Sequence, residues 1–174
     1  MNAMKSLPLL LTALLLAGNV GAQTPAPRLT QEQAQQLLAR QMQMMAAMFD
    51  YRRSRLGFDD TVTAVGAAID RQGWQKGGVH DAQAAMAKSG IADSKRMKVL
   101  EACPNGFNDK LAKAGQGKLP PHPCRFTVFE GKDGKAYVVR LNSALLAKGI
   151  PGEAGKLMAG IGAEEETILK GIAE

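Results

Sequence analysis

Two apolar runs joined by a four-residue turn do most to limit the folds open to this chain. Residues 125–130 and 135–141 are rich in valine, tyrosine and phenylalanine, and Gly-Lys-Asp-Gly at 131–134 separates them. This arrangement predicts a β-hairpin. Because a hairpin pairs its strands antiparallel, a purely parallel sheet is excluded.

Strand and helix patterns alternate along the rest of the chain. Strands are predicted at residues 50–56, 74–79 and 97–102. Helices are predicted from Phe58 to a stop at Gly73, from a cap at Asp81 to Lys88, from Pro104 to about Ala114, and from about Gly152, where residues 160–162 could break the helix. The predicted class is α+β: a small, mostly antiparallel sheet with helices packed on it.

The first 22 residues have the parts of a secretory signal. Lys5 is followed by an apolar run at 7–17 and by Val20-Gly21-Ala22 as a small-residue cleavage site. The run is too short to span a bilayer, which takes about 20 residues. We therefore expect a periplasmic or secreted protein that is cleaved near Ala22, has no membrane span, and keeps residues 23–174 as one domain with an N-terminal extension.

That extension begins with a linker at 23–29 and continues as an amphipathic helix over residues 30–49. Thr30 and Gln33 have the spacing of a capping box. One face carries apolar residues at helical spacing: Ala34, Leu37, Leu38, Met45, Met48 and Phe49. The face could pack on the domain, on a second subunit or in a groove of another protein, and the sequence leaves these alternatives open.

Methionine is unusually frequent in this helix, at positions 42, 44, 45 and 48. Thioethers suit Cu(I), but a copper site needs a further ligand, and no His or Cys lies nearby in the sequence. Methionine is also a flexible apolar filler in cores and adaptable interfaces, and that interpretation is preferred here.

Charge argues against a nucleic-acid partner. The formal net charge is +6, but the cations are scattered and only 5% of the residues are aromatic. A solvated basic surface accounts for this balance.

Four short motifs resemble those of a known family. They are Phe58-Asp59-Asp60-Thr61-Val62, His80-Asp81, Leu100-Glu101-Ala102-Cys103 and Pro123-Cys124-Arg125. Together with the order of elements, they resemble the domain of unknown function 302 family over about residues 50–172. The resemblance implies a small α+β domain that forms a homodimer, and it leaves the biochemical role open. The methionine-rich helix lies outside it.

The two cysteines, Cys103 and Cys124, allow three interpretations. In an oxidising compartment they could form a structural disulfide, which would stabilise the fold by roughly 3 kcal/mol. They could instead be a reactive pair, with Cys103 as an attacking thiolate at the N-cap of the helix from Pro104 and Cys124 as its resolving partner. Finally, Cys103, His122 and Cys124, with His80 as a further ligand, could hold copper, zinc or haem.

Other motifs favour structural roles. Asp81 beside His80 is better explained as a helix cap than as the orienting partner of a base, and Glu164-Glu165-Glu166 is typical of a solvated helix face. No nucleophile elbow or phosphate-binding glycine loop is present. The preferred function is a non-enzymatic periplasmic binding or interaction module, a homodimer that holds a small ligand, a metal or a protein partner. The alternative is a thiol-dependent redox or sulfur-handling protein that uses Cys103 and Cys124.

Overall fold

The computed structural model describes residues 30–174, so the predicted signal segment 1–22 and linker 23–29 lie outside the described residues. Its elements in chain order are α1 (Gln31–Ala47), β1 (Phe49–Arg53), α2 (Phe58–Gln72), β2 (Gln75–Asp81), α3 (Ala82–Lys88), β3 (Met97–Cys103), α4 (Phe107–Ala114), β4 (Arg125–Glu130), β5 (Ala136–Leu141), α5 (Ser143–Ala147) and α6 (Gly152–Leu169).

The five strands form one antiparallel sheet in the order β1-β5-β4-β3-β2. The hairpin β4–β5 lies near its middle, with Phe129 opposite Tyr137. Gly134 takes a φ of 72° in the connecting turn, a conformation that glycine adopts without steric cost. The predicted α+β class is confirmed.

Helices cover one face of the sheet because apolar residues alternate along its central strands. Phe126, Val128 and Val138 point to this face and are fully buried. Helix α2 lies across β3, β4 and β5, and α6 packs against α2, α4 and α5. The indole of Trp74, just before β2, lies 6.2 Å from the ring of Phe126 and closes this core.

Helix α6 is continuous, although the sequence indicated a break near residues 160–162, and two of its glycines lie against α5 and the turn that follows it. A Cβ at Gly162 would lie 2.8 Å from the backbone nitrogen of Ala144, and one at Gly155 would lie 2.0 Å from the carbonyl oxygen of Ile150. These glycines therefore let α5 and its following turn approach α6 closely. The sequence prediction also missed α5, which Asn142 caps by accepting a hydrogen bond from the amide of Leu145.

Helix α4 begins three residues later than predicted. Pro104 starts a turn in which its carbonyl accepts the amide of Phe107, and Gly106 is the N-cap with a φ of 66°. Cys103 is consequently not an N-cap, and the prediction that places it at the N-cap of the helix from Pro104 is wrong.

Helix α1 projects from the domain. Its predicted capping box is present, with Thr30 and Gln33 exchanging side-chain and backbone hydrogen bonds. Asn142 connects its C-terminal end to the domain. The backbone amide of Asn142 donates to the carbonyl of Met48, and its side-chain amide donates to the carbonyl of Ala47. Within the described part of the chain, no residue of α1 is buried.

Candidate functional site

The two cysteines lie where β3 ends and β4 begins. These neighbouring strands run antiparallel, so the end of one meets the start of the other. Cys103 and Cys124 form a disulfide with their Cα atoms 5.2 Å apart. The amide of Ala102 donates to the carbonyl of Cys124, so backbone pairing continues up to the bridge. The bridge closes the loop that carries α4.

Cys124 has an unusual backbone, with a φ of 40°. Few residues other than glycine adopt positive φ, so the surrounding structure must hold this one in place. His122 does so, because its Nδ1 accepts the amide hydrogen of Cys124 at 3.0 Å. The Asn108 side chain on α4 in turn accepts the amide of His122 and donates to its carbonyl. Asn108 Nδ2 also lies 4.0 Å from Cys103 Sγ.

The disulfide forms part of the wall of an open cleft of about 310 Å³. The lining residues come from β2, the end of β3, α4 and the segment before β4: Gln75, Lys76, Gly77, Glu101, Ala102, Cys103, Asn108, His122, Pro123 and Cys124. A bulge at Gly77 interrupts the pairing of β2 with β3. A Cβ there would approach Glu101 to 3.2 Å, so the glycine lets the Glu101 side chain lie against the strand.

A second, apolar hollow of about 390 Å³ lies near the same loop. Leucines, prolines and methionines dominate its lining, which is Met48, Leu111, Leu119, Pro120, Pro121, His122, Pro123, Leu141, Leu146, Gly149, Ile150 and Met158. His122 and Pro123 line both this hollow and the cleft, so the two are neighbours in the fold.

His122 is a buried, neutral residue. Burial and, to a smaller extent, the nearby charge of Arg140 lower its pKa from 6.5 to about 4. Because Nδ1 accepts a hydrogen bond, the proton lies on Nε2, which is 2.9 Å from the hydroxyl of Ser143. Both ring nitrogens are therefore occupied by hydrogen bonds within the protein.

Ser143 connects His122 to a buried group of charges. Besides its hydrogen bond to His122, Ser143 lies near Glu165 on α6 and acts to lower the pKa of that carboxyl. Glu165 Oε2 lies 2.5 Å from Arg140 on β5, and both side chains are 2% exposed. The guanidinium of Arg140 also contacts Asp50 at 2.7 Å and Glu166. A chain of polar contacts thus runs from the disulfide loop through the core to β1.

The group holds more carboxylates than cations. Arg52 joins it by ion pairs to Asp50 and Glu166, so two arginines face three acidic side chains. Burial, which outweighs the attraction of Arg140, raises the pKa of Glu165 to about 7.

The glutamates at 164–166 are not the solvated face that the sequence indicated. Glu164 accepts the indole N–H of Trp74 at 2.6 Å, Glu165 is buried on Arg140, and Glu166 pairs with Arg52. Sequence reasoning also missed Asn108, Arg140 and Ser143. Only Arg140 has a local signal, because it continues the inward alternation of Ala136 and Val138 on β5.

The candidate ligands named from the sequence are only partly brought together. His122 lies beside the disulfide, whereas His80 is an exposed residue on β2 whose Nε2 is 3.3 Å from Glu101 Oε2. Among residues 30–174, no three His, Cys, Asp or Glu side chains converge in a way that could hold a metal ion. Asp81 caps α3 through the amide of Ala84, as expected.

The fold and the site define an α+β domain with a disulfide-lined cleft at one end of an antiparallel sheet. The model of the family described as domain of unknown function DUF302 matches residues 50–169, so the chain belongs to that family. Helix α1 precedes the matched region.

One solved structure supports the same fold. The crystal structure of an uncharacterized conserved DUF302 protein from Bacillus stearothermophilus is 16% identical, aligns with 71% of this chain and 96% of that chain, and gives a TM-score of 0.57. At this identity the similarity concerns the fold alone. No curated protein matches the chain. Over residues 30–174, no helix has the length and hydrophobicity needed to cross a membrane.

Proposed function

We propose that this protein is an exported, homodimeric binding module that holds a small polar ligand in the disulfide-lined cleft. The observation that carries the proposal is the cleft itself, at about 310 Å³ with a wall held rigid by a disulfide and by Asn108. Preformed clefts of roughly 300–1,000 Å³ are typical of small-molecule sites.

The chemistry of the lining favours a ligand with both donors and acceptors. Gln75 offers an amide and Glu101 a carboxylate from the β2–β3 side, whereas the ammonium of Lys76 is paired with Asp70 on α2 at 2.7 Å. The side chains of Gln75 and Glu101 are fully and partly exposed, so they can exchange water for a ligand. Asn108 and His122, by contrast, are used to shape the wall.

Export is supported by the signal pattern and by the disulfide. Disulfides persist in oxidising compartments such as the periplasm and are rare in the cytosol. The homodimer follows only from the resemblance given above, which implies that form.

Native mass spectrometry of protein purified from the periplasm without reductant tests the binding proposal. We expect a co-purifying small-molecule mass on the wild type, and a cysteine pair that resists alkylation. Gln75→Trp should fill the cleft and remove the ligand mass, because Gln75 lies across from Cys103. Lys132→Trp, in the turn between β4 and β5, is the matched control and should keep it. A ligand mass retained in both variants would place the ligand elsewhere, and a bare wild type that also binds nothing from the periplasmic small-molecule fraction would refute the proposal.

A thiol-dependent redox role is the second candidate, favoured by the accessibility of one sulfur-bearing residue. Cys103 is half-buried on the cleft, whereas Cys124 is only 5% exposed. A substrate dithiol would attack Cys103 Sγ, and the electron pair of the broken S–S bond would leave on Cys124 Sγ. The second substrate thiol would then release Cys103, so the substrate becomes a disulfide and the protein a dithiol. In reverse, Cys103 is the attacking thiolate and Cys124 the resolving one.

The reduction potential separates the two functions. A value below about −300 mV indicates a structural bridge that resists reduction by glutathione. A higher potential, with dithiol oxidation that Cys103→Ser abolishes, would favour the redox role over simple binding.

A further inference from the structure

Helix α1 exposes a continuous apolar stripe. Five of its large apolar residues are 52–67% exposed, namely Leu37, Leu38, Met42, Met44 and Met45, and Met48 just beyond its end is 38% exposed. A helix of this length is marginal in water without a packing partner. Among the described residues, only Met48 at the end of the stripe faces the domain, where it lines the apolar hollow, and no residue of α1 is buried.

The stripe is symmetric about its middle residue, Gln41. At 3.6 residues per turn, seven positions lie within about 60° of Gln41 on the helix surface. Each apolar position on the N-terminal side has an apolar counterpart at the same distance on the C-terminal side: Ala34 with Met48, Leu37 with Met45, and Leu38 with Met44. A surface with this property matches itself when turned end over end.

We propose that α1 pairs antiparallel with α1 of a second copy of this chain, about a two-fold axis at Gln41. The inference rests on the homodimer of the proposed function and assigns its interface to α1, which lies outside the region that matches the family. A two-fold contact uses the same patch on both subunits, so Leu37 meets Met45 of the partner subunit and Leu38 meets Met44 of the partner subunit. The Gln41 side chains face each other on the axis and can exchange amide hydrogen bonds.

The exposed area suits a dimer. A standard interface buries ~800 Å² per partner, and Leu37, Leu38, Met44 and Met45, which are 52–67% exposed, would supply the apolar centre of such a contact. Phe49 and Tyr51 on β1, 55% and 56% exposed, extend the apolar surface beyond the end of α1. The partner's N-terminal turn would come over this end of the helix.

The chemistry of α1 does not suit the other occupants. Helices that lie on a membrane carry lysines and arginines on their polar face, whereas the polar face of α1 is mainly glutamine, and its charged residues are Glu32 and Arg40. The chain before it also cannot cover the stripe after the expected cleavage, because residues 23–29 then contain one large apolar residue, Leu29. A second copy offers a neutral surface of equal length.

Cross-linking of the full exported chain tests the register. A short bis-maleimide should join two Gln41→Cys chains, because their thiols meet on the axis. Gln43→Cys is the matched control, since its side chain points about 160° away around the helix. Cys103 and Cys124 are paired and do not react. We expect at least ten-fold more cross-linked dimer from Gln41→Cys, and equal yields from the two variants would overturn the proposal.

Sedimentation equilibrium tests whether the stripe holds the dimer. Leu37→Glu should raise the dimer dissociation constant at least 100-fold, and Gln43→Glu should leave it unchanged. Because α1 makes no buried contact with the described domain, both variants should keep the wild-type circular dichroism spectrum. A dimer that survives Leu37→Glu would show that the chain associates through another surface, which overturns this inference while the proposed homodimer stands. A monomeric wild type would overturn both, and would leave ligand binding in the cleft untouched.

Co-sedimentation with vesicles of neutral and anionic phospholipid tests the remaining occupant. Vesicle binding by the wild type that Leu37→Glu abolishes would assign the stripe to a membrane and overturn the dimer. We expect the wild type to stay in the supernatant with either lipid.

Discussion

The domain and helix α1 differ in which side chains they bury and which they expose. The domain buries charged and polar side chains, and it pairs Arg140 with Glu165 and His122 with Ser143. Helix α1 exposes leucines and methionines between residues 37 and 45. The comparison teaches that burial here follows the availability of a packing surface, and that the polarity of an isolated residue predicts it poorly.

The largest expected effect comes from removing the buried cation. Arg140→Met leaves Asp50 and Glu165 facing each other without Arg140, and should lower the free energy of unfolding by about 3–5 kcal/mol. Arg55→Met, which breaks the exposed ion pair with Glu174, is the control, and it should change the free energy of unfolding by at most about 0.5 kcal/mol. Chemical denaturation measures both.

The double variant Arg140→Met/Glu165→Leu sharpens this test. It should regain part of the loss, because an apolar pair replaces an uncompensated carboxylate. An Arg140→Met variant as stable as Arg55→Met would contradict the view that the domain depends on its buried charges.

The next effect depends on pH. The folded protein holds the pKa of His122 at about 4, below the unfolded value of 6.5, so only the unfolded chain takes up a proton between these values. The His122 contribution to stability is therefore full above pH 6.5 and falls by about 3 kcal/mol as the pH drops to 4. The stability difference between wild type and His122→Gln should narrow by that amount over this range.

Glu165 titrates in both chains, so its contribution largely cancels in that difference. A difference between wild type and His122→Gln that stays constant over this range would show that the folded protein accommodates the His122 imidazolium.

A smaller effect concerns the contact between α5 and α6. Gly162→Ala places a Cβ 2.8 Å from the backbone of Ala144, and should cost about 1–3 kcal/mol because α5 must shift. Gly160→Ala, in the same helix with nothing within 4 Å of its Cβ, should stabilise by up to about 1 kcal/mol through helix propensity. Thermal unfolding of the two variants measures both effects. A loss of stability in both variants would mean that α6 does not tolerate alanine for a reason other than its contact with α5.

The smallest effect is expected in α1. Leu38→Gln should change domain stability by less than about 0.5 kcal/mol at protein concentrations low enough to keep the chain monomeric, because Leu38 contacts no core residue. Denaturation at two protein concentrations measures it. A loss like that of a buried leucine, about 2 kcal/mol or more, would show that α1 packs on its own domain and would remove the contrast between the two regions.

Much of the fold could be predicted because its signals are local. The hairpin turn at 131–134, the capping box at Thr30 and the Asp81 cap each depend on residues close in sequence, and all three are present. The start of α4 was misplaced because a turn at Pro104 and a helix at Pro104 look alike locally. Helix α5 was missed because it is five residues long and gains its stability from α6.

The candidate site could be predicted only in part. The two cysteines and His122 stand out by residue type, and the structure places them together. Asn108 and Ser143 are ordinary residues in sequence, and they matter because folding brings them to His122 from positions 14 and 21 residues away.

The sequence by itself determined the order of the five strands and of every helix in the described chain except α5, the antiparallel hairpin, and the capped, apolar-faced helix α1, since each follows from the periodicity and turn chemistry of neighbouring residues. Only the tertiary structure decided that Glu165 is buried on Arg140, that His122 stays neutral and that the disulfide lines a cleft. The physical reason is distance along the chain, because hydrogen bonds and ion pairs between residues far apart in sequence exist only after the sheet and helices have packed.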